Sequence, residues 1–205
     1  MSQPLEIGMQ LQDILQLPFE RLRAHAIDQL QLRFGATVLD VGCGSGSSFP
    51  ALIQTIGPHG HLLGIERNIT RLAHAQAKIT RAQWQNIDLV AADATTTVLT
   101  PKSVDAVLIL HANSIVLSPL AIEQIMGWLR PNGRFVAAGT QISYGVYRKL
   151  LQPIPITPLH SISTPHEDTL SWRYLRSTLS SFSVEEHFRG SMYLVSGVKN
   201  HSTSL

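Results

Sequence analysis

Cysteine is almost absent from this chain, which carries only Cys43 among 205 residues. A lone cysteine cannot form an intramolecular disulfide, and it cannot build a multi-cysteine zinc site. His59 and His61 flank a glycine in a predicted turn, where we expect them to be solvated. The sequence therefore predicts no metal site.

Charge is scarce as well. Charged residues make up 15% of the chain, and 16 basic against 14 acidic residues give a net charge of +2; a typical domain is about 25% charged. No run of Lys and Arg is long enough to follow a phosphate backbone, so we expect no nucleic acid partner. Either neutral polar residues replace the missing charge, which we favour, or a partner such as a second subunit covers part of the surface.

Long hydrophobic runs and targeting signals are also lacking. The most apolar stretch, residues 104–125, is interrupted by charged and polar side chains, so it is not a predicted membrane span. The first fifteen residues show neither a basic leader nor a small-residue cleavage site. A predicted N-terminal helix has few cations, so contact with a membrane surface is unsupported. We expect a cytoplasmic protein.

What the sequence does contain is one domain with alternating strand and helix periods. Hydrophobic residues make up 44% of the chain, enough for a core that needs no covalent staple. Strands are predicted over residues 37–41, 61–66, 87–92, 104–110, 134–138, 182–188 and 192–199. Helices are predicted over residues 5–17, 19–32, 47–56, 69–81, 119–129 and 167–179, with a turn at 131–133. Such alternation favours a doubly wound α/β fold, whose ligands bind beyond the carboxyl ends of parallel strands.

A glycine-rich loop follows the first predicted strand and opens a helix. It reads Asp40-Val41-Gly42-Cys43-Gly44-Ser45-Gly46. Glycines allow a tight turn and a close backbone approach to a ligand, and free amides at a helix start bind anionic groups.

Acidic residues end the next two predicted strands. Glu66 lies 20 residues after the last loop glycine, where a carboxylate can accept hydrogen bonds from both hydroxyls of a ribose. Asp93 is placed to reach a purine amino group, and Ala94 beside it leaves room for a flat ring.

Together these motifs resemble those of class I S-adenosylmethionine-dependent methyltransferases. Asp40 and the alternating glycines match the first loop of that family, Glu66 matches its ribose acid and Asp93 its adenine-side acid. The resemblance implies a Rossmann-like, seven-stranded, mostly parallel sheet of order 3-2-1-4-5-7-6 with the last strand antiparallel. It also implies S-adenosyl-L-methionine as the cofactor. The expected cofactor-binding residues are Asp40, Gly42, Cys43, Gly44, Gly46, Glu66, Arg67, Asp93, Ala94 and His111.

A nicotinamide-binding domain is the main alternative. Its G-x-G-x-x-G motif requires a later glycine, but Ser47 follows Gly46 here and no glycine comes soon after. A carboxylate at Asp40 suits a ligand that carries an ammonium group, whereas it would repel a pyrophosphate. We therefore favour the methyl donor.

The substrate side is less sharply defined by sequence. His111 ends the fourth strand and is the candidate general base, because its pKa lies near neutrality; packing beside the cofactor is the competing interpretation. The chain lacks the Asn/Asp-Pro-Pro-aromatic motif of enzymes that methylate DNA bases or glutamine amides, and the acid-rich motif of metal-dependent catechol enzymes. Candidate substrate-binding residues are Asn113, Tyr144, Tyr147, His160 and Trp172.

The resulting prediction is one methyltransferase domain over residues 1–205. Residues 1–34 are its N-terminal helices, 35–139 its cofactor-binding core, 140–180 a substrate lid and 181–199 a closing hairpin. The predicted activity is methylation of oxygen, nitrogen or carbon on a small-molecule acceptor. Two alternatives are a donor-binding regulatory subunit without activity and a methyltransferase for a lipid or macromolecule.

Overall fold

The computed structural model describes residues 4–140 and 170–201, with side chains from residue 17 onward in the first helix. Strands and helices alternate along these residues. The strands are β1 (Thr37–Val41), β2 (His61–Glu66), β3 (Ile87–Ala91), β4 (Val104–Leu110), β5 (Leu129–Thr140), β6 (Leu179–His187) and β7 (Met192–Lys199). The described helices are α1 (Pro4–Gln29), α2 (Phe49–Ile56), α3 (Ile69–Ala82), α4 (Asn113–Val116), α5 (Pro119–Trp128) and α6 (Leu170–Thr178).

All seven strands form one sheet in the order β3-β2-β1-β4-β5-β7-β6. The pairs from β3 through β5 are parallel, whereas β7 is antiparallel to both of its neighbours. The fold expected from the resemblance is confirmed. Because β7 alone is reversed, the carboxyl ends of the other six strands lie at the same edge of the sheet.

Each face of the sheet carries its own hydrophobic core, as a doubly wound sheet requires. Side chains alternate along the central strand β4: Val107 and Ile109 enter the core beneath α4, α5 and α6, whereas Ala106 and Leu108 enter the core beneath α1, α2 and α3. The four residues are at most 1% exposed. The nearly continuous apolar run of β4 therefore reflects burial on both faces.

The first helix differs from the prediction of two helices separated at Pro18. One helix, α1, runs through that proline. Proline removes one intrahelical hydrogen bond and often only bends a helix. After Pro18, the stripe of Leu22, Ala26 and Leu30 is buried on the sheet, and this burial offsets the lost hydrogen bond.

The fifth strand also begins earlier than predicted. Leu129 pairs with Val104 and Arg134 pairs with Ala106, so the residues between Leu129 and Arg134 bulge from the ladder. Asn132 has a φ of 62° within this bulge. The predicted turn at 131–133 is real, but it lies inside the strand instead of before it. The predicted closing hairpin is confirmed, with β6 starting at Leu179.

Trp172 lies in the hydrophobic core, not in a substrate pocket as the sequence had suggested. Its side chain is 3% exposed and makes edge contacts with Phe182 and Tyr193, with ring centroids 6.0 and 5.9 Å apart. The α6 helix packs against α5 and buries this indole there. Apolar burial outweighs the cost of Nε1, which finds no hydrogen-bond acceptor among the described residues. Among the described residues, no helix has both the length and the apolar character needed to cross a bilayer.

Replacing Trp172 with alanine should destabilise the protein strongly without weakening cofactor binding. Removing a buried indole costs about 3–5 kcal/mol, and Trp172 lines neither cavity described below. Urea unfolding gives the stability change, and Trp172→Phe, which keeps an aromatic ring, should lose much less. A raised KM for the acceptor in a Trp172→Phe protein of unchanged stability would instead place this residue at the substrate site.

Candidate cofactor-binding site

Two neighbouring cavities lie at the carboxyl edge of the parallel strands. The first, called here the Asp93 cavity, has a volume of about 300 Å³ and includes Glu66 and Asp93 in its lining. The second, called the Asp40 cavity, has a volume of about 310 Å³ and includes Asp40 and the glycine loop. Residues from separate elements line both cavities and join them: Gly42, Arg71 and His111.

The glycine loop has the geometry that its sequence requires. Gly42 and Gly44 have φ values of 74° and 57°, a region that side-chain-bearing residues rarely adopt. A Cβ on Gly42 would also stand 2.9 Å from Cβ of Ala112, at the start of α4. The loop therefore packs closely against the segment after β4, and glycine is needed for that approach.

Glu66 ties this loop to the second strand. Its Oε2 accepts a hydrogen bond from the Gly44 amide at 3.0 Å, and its Oε1 accepts one from the Asn68 amide at 2.7 Å. The carboxylate is 7% exposed and borders the Asp93 cavity. Each carboxylate oxygen can accept more than one hydrogen bond, so acceptor capacity remains for ligand hydroxyl groups.

Asp40 is a buried carboxyl group whose Oδ2 makes no hydrogen bond within the described residues. Its side chain is 2% exposed. Burial raises the pKa of Asp40 to about 7, the Glu66 charge adds to this rise, and the Arg23 guanidinium opposes it. An ionised Asp40 in this place would be stabilised by a ligand cation.

Arg23 is a cavity residue that the sequence did not single out. It lies on α1, lines the Asp40 cavity and is 16% exposed, with an ion pair to Glu20 at 2.5 Å. Lys78 on α3 is nearby and donates to the Gly46 carbonyl at 3.0 Å. The one available signal was the position of Arg23 beside the buried stripe of an amphipathic helix, which is too common to indicate a site.

Asp93 is organised as an ionised acceptor. Its Oδ1 accepts from the Thr95 amide at 2.9 Å and the Thr95 hydroxyl at 2.7 Å, and its Oδ2 lies 3.6 Å from Arg67. These hydrogen bonds, led by the Thr95 amide, hold the pKa of Asp93 below its usual value. Ala94, buried beside it, also lines the cavity, as does Arg67.

His111 stands where the two cavities meet. Its backbone has a φ of 54°, its amide donates to the Ala138 carbonyl at 2.8 Å, and its ring makes an edge contact with Phe19 at 5.2 Å. Partial burial, followed by the Arg23 charge, lowers the pKa of His111. The imidazole is therefore neutral at physiological pH and able to accept a proton.

Cys43 also lines the Asp40 cavity. Burial raises the pKa of its thiol far above the usual range, and the nearby charges of Asp40 and Glu66 raise it further. The thiol therefore stays protonated and acts as a small buried group within the loop.

The expected substrate residues are not brought together by the described part of the fold. Asn113 donates to the Thr140 carbonyl at 2.7 Å and accepts from the Tyr193 hydroxyl at 3.0 Å, so its amide joins α4 to β5 and β7. Tyr144, Tyr147 and His160 lie outside the described residues. Ser114, in the segment after the fourth strand where the sequence places contact with the substrate, lines the Asp93 cavity. Ser118 lines it as well, although the sequence gave no reason to select that residue.

Comparison with known proteins agrees with this geometry. A family model described as a methyltransferase domain matches residues 32–154, more than half of the chain. The chain belongs to this family. The predicted resemblance to class I S-adenosylmethionine-dependent methyltransferases is thereby confirmed, and the matched region contains the glycine loop and the strands that line both cavities.

Relatives within the family carry different printed activities. The chain is 31% identical to a protein-L-isoaspartate O-methyltransferase of Methanothrix thermoacetophila over 53% of this chain and 50% of that protein. It is 28% identical to a 2-phytyl-1,4-naphtoquinone methyltransferase of Thermosynechococcus vestitus over 53% and 48%. It thus spans about half the length of these relatives. A SAM-dependent methyltransferase structure from Aquifex aeolicus shares the fold, with a TM-score of 0.62, 16% identity and coverage of 86% and 89%.

Replacing Asp40 with asparagine should stabilise the free protein in a pH-dependent way. The folded-state pKa of Asp40 lies above its unfolded value of 3.8, so the folded protein loses stability as the pH rises from the lower pKa to the higher. Asp40→Asn removes this loss. Its advantage should be small near pH 4, grow to on the order of 2–4 kcal/mol at pH 7, and then level off.

Urea unfolding of both proteins between about pH 4 and pH 8 measures this difference. The matched control is Asp88→Asn, because the Asp88 side chain is 72% exposed and pairs with His61 at the surface. A stability difference between wild type and Asp40→Asn that does not vary with pH would contradict the assignment of a raised pKa to this carboxyl group.

Proposed function

We propose that this chain binds S-adenosylmethionine across the two cavities and transfers its methyl group to a small-molecule acceptor. The observation that carries the proposal is the buried, unpartnered Oδ2 of Asp40 beside a glycine loop. An acidic group in such a place calls for a cationic ligand group. The methyl donor carries an α-ammonium group, whereas a pyrophosphate would be repelled.

The Asp93 cavity fits the nucleoside end of the donor. Glu66 offers carboxylate oxygens for the ribose hydroxyls, and Asp93 offers an acceptor for the purine amino group. Ala94 leaves space for a flat ring, since a larger side chain there would fill part of the cavity. Arg67 is paired with Asp93 at the rim and would cover one side of the base.

The Asp40 cavity fits the amino-acid end of the donor. Asp40 would pair with the α-ammonium group, and the Gly42–Gly44 backbone would lie against the ligand with no Cβ in the way. The Arg23 guanidinium of α1 would pair with the α-carboxylate of the donor. Gly42, Arg71 and His111 line both cavities, so a single ligand can extend from one into the other.

When bound, the donor supplies an activated sulfonium methyl group; an acceptor atom attacks the methyl carbon in line, the carbon–sulfur bond breaks, and the sulfur leaves as a neutral thioether. The protein has to orient the two partners and exclude water from them. A neutral His111 at the junction of the cavities could accept the proton of the acceptor through an imidazole nitrogen. Its Phe19 contact holds the ring at the wall, and burial keeps the imidazole free of a proton.

The proposal of a small-molecule acceptor rests on the charge of the protein. The net charge of +2 without clustered cations offers no surface for an extended anionic macromolecule. The named relatives act on a protein in one case and on a naphthoquinone in the other, so both acceptor classes enter the test. A cytoplasmic location and a homodimer remain predictions.

Calorimetric titration with S-adenosylmethionine and S-adenosylhomocysteine, with NAD as the control, tests the cofactor assignment. We expect both sulfur ligands to bind and NAD not to bind. Asp40→Asn should weaken both by at least about tenfold, because a lost charge-assisted contact is worth about 1.5–3 kcal/mol. Failure of both ligands to bind the folded protein would overturn the proposal. Turnover with pooled small metabolites and, separately, with protein acceptors then separates an enzyme from a donor-binding regulatory subunit; turnover with the protein acceptors alone would overturn the small-molecule assignment.

His111→Ala should lower kcat by about 10²–10⁴-fold if the imidazole accepts a proton during transfer. Donor affinity should fall much less than kcat, because His111 is one of many residues that line the two cavities. Because the pKa of His111 is lowered, the wild-type rate should fall only below the usual histidine pKa and stay flat through neutrality. The solvent-exposed His59→Gln is the control. An unchanged kcat in His111→Ala would restrict this residue to packing beside the cofactor.

A further inference from the structure

A second cluster of metal-ligating side chains lies away from both cavities. His25 on α1 meets Glu185 and His187 on β6, and the ligand atoms that the three offer lie within 4.8 Å of one another. We propose that these residues form a binding site for a divalent transition-metal ion of the Zn²⁺ type. The proposal does not depend on the methyltransferase activity.

The distances among the three side chains suit one metal ion. Oε2 of Glu185 lies 2.9 Å from His25 Nε2 and 3.3 Å from His187 Nε2. Zinc binds histidine nitrogen and carboxylate oxygen at about 2.0–2.2 Å, so neighbouring ligands in a tetrahedral site stand about 3.3–3.6 Å apart. The 3.3 Å separation fits that range, whereas the 2.9 Å separation is that of a hydrogen bond and would widen slightly when an ion enters.

His187 provides a second and independent observation. Its Nε2 is buried and makes no hydrogen bond within the described residues, although it lies near the Glu185 carboxylate. An unpartnered buried nitrogen is unfavourable in the apo protein. Coordination would satisfy it. The two imidazole rings are also set at 63° with centroids 5.4 Å apart, an arrangement that brings the ring nitrogens near a shared point.

The chemistry of the ligand set points to the class of ion. Two imidazoles and one carboxylate suit Zn²⁺ and neighbouring transition metals, whereas Mg²⁺ and Ca²⁺ prefer oxygen ligands. The side chains of His25, Glu185 and His187 are 35%, 36% and 27% exposed. The site is therefore reachable from solvent and leaves coordination positions for water.

The position of the cluster separates it from the proposed methyl-transfer site. The His111 amide at the end of β4 donates a hydrogen bond to the Ala138 carbonyl of β5. Ala138 pairs with Leu194 of β7, and Leu194 pairs with Glu185 of β6. Glu185 is thus about three strand spacings, or about 14 Å, from the end of β4. A bound ion would fasten α1 to the edge strand β6 instead of touching the cofactor cavities.

The test uses untagged full-length protein, since a histidine tag would bind the probe. Titration with Zn²⁺ followed by calorimetry, and with Co²⁺ followed by its visible absorption, should each show one equivalent bound. His25→Gln, Glu185→Gln and His187→Gln should each weaken binding by at least about 100-fold, since even outer partners of metal ligands cost 10–100-fold. Zn²⁺ should raise the Tm of the wild type but not of these variants.

The matched control is His61→Gln. His61 pairs with a carboxylate of Asp88 at 3.0 Å, as His25 does with Glu185, but among residues 4–140 and 170–201 no third ligand accompanies this pair. Its loss should leave metal binding unchanged. Three independent ligand variants guard against one that fails to fold. No saturable binding at one equivalent, or binding that all three variants retain, would reduce the cluster to an ion pair between helix and strand and overturn the proposal.

Discussion

The Glu66 carboxylate connects the parts on which the candidate cofactor site depends. One oxygen accepts from Gly44 in the loop after β1, and the other accepts from Asn68 at the start of α3. Asn68 in turn caps that helix through the Arg71 amide. The loop, the second strand and the third helix are therefore fixed to one another by a single buried side chain. Both cavities share the resulting wall.

Two aspartates at this edge of the sheet favour opposite protonation states. Asp93 sits at the rim, where hydrogen bonds from Thr95 favour its ionised form. Asp40 is buried within the same edge, where desolvation favours its protonated form. Asp40 and Asp93, which lie on either side of Glu66 at this edge of the sheet, therefore meet opposite environments. A buried acid with one oxygen that lacks a hydrogen bond among the described residues lowers the stability of the free fold, and such a cost is typical of positions kept for a ligand.

Local patterns were enough to predict the strands and a doubly wound fold, because buried strands and the glycine loop leave short-range signals in sequence. The strand order came from the resemblance to the methyltransferase family. The loop, Glu66 and Asp93 are each encoded at one strand end, and the parallel pairing brings them together. Trp172 could not be placed in the same way. It follows a proline-containing stretch of sequence, and whether its indole faces a pocket or the core depends on α5 and β7, which are distant in sequence. Arg23 and the His25–Glu185 contact, 160 residues apart, are likewise products of tertiary packing.

The α1 helix shows how one element can serve two regions of the sheet. Leu22 and Ala26 define the face that it buries, and with about 100° of rotation per residue Arg23 and His25 project about 80° to either side of that face. Arg23 thereby reaches the Asp40 cavity near the sheet centre, and His25 reaches β6 at the sheet edge. A shift of the helix along the sheet would disturb both contacts together. A contact that anchors His25 to β6, whether a hydrogen bond or a bound ion, therefore also keeps the Arg23 guanidinium near the buried carboxyl group of Asp40.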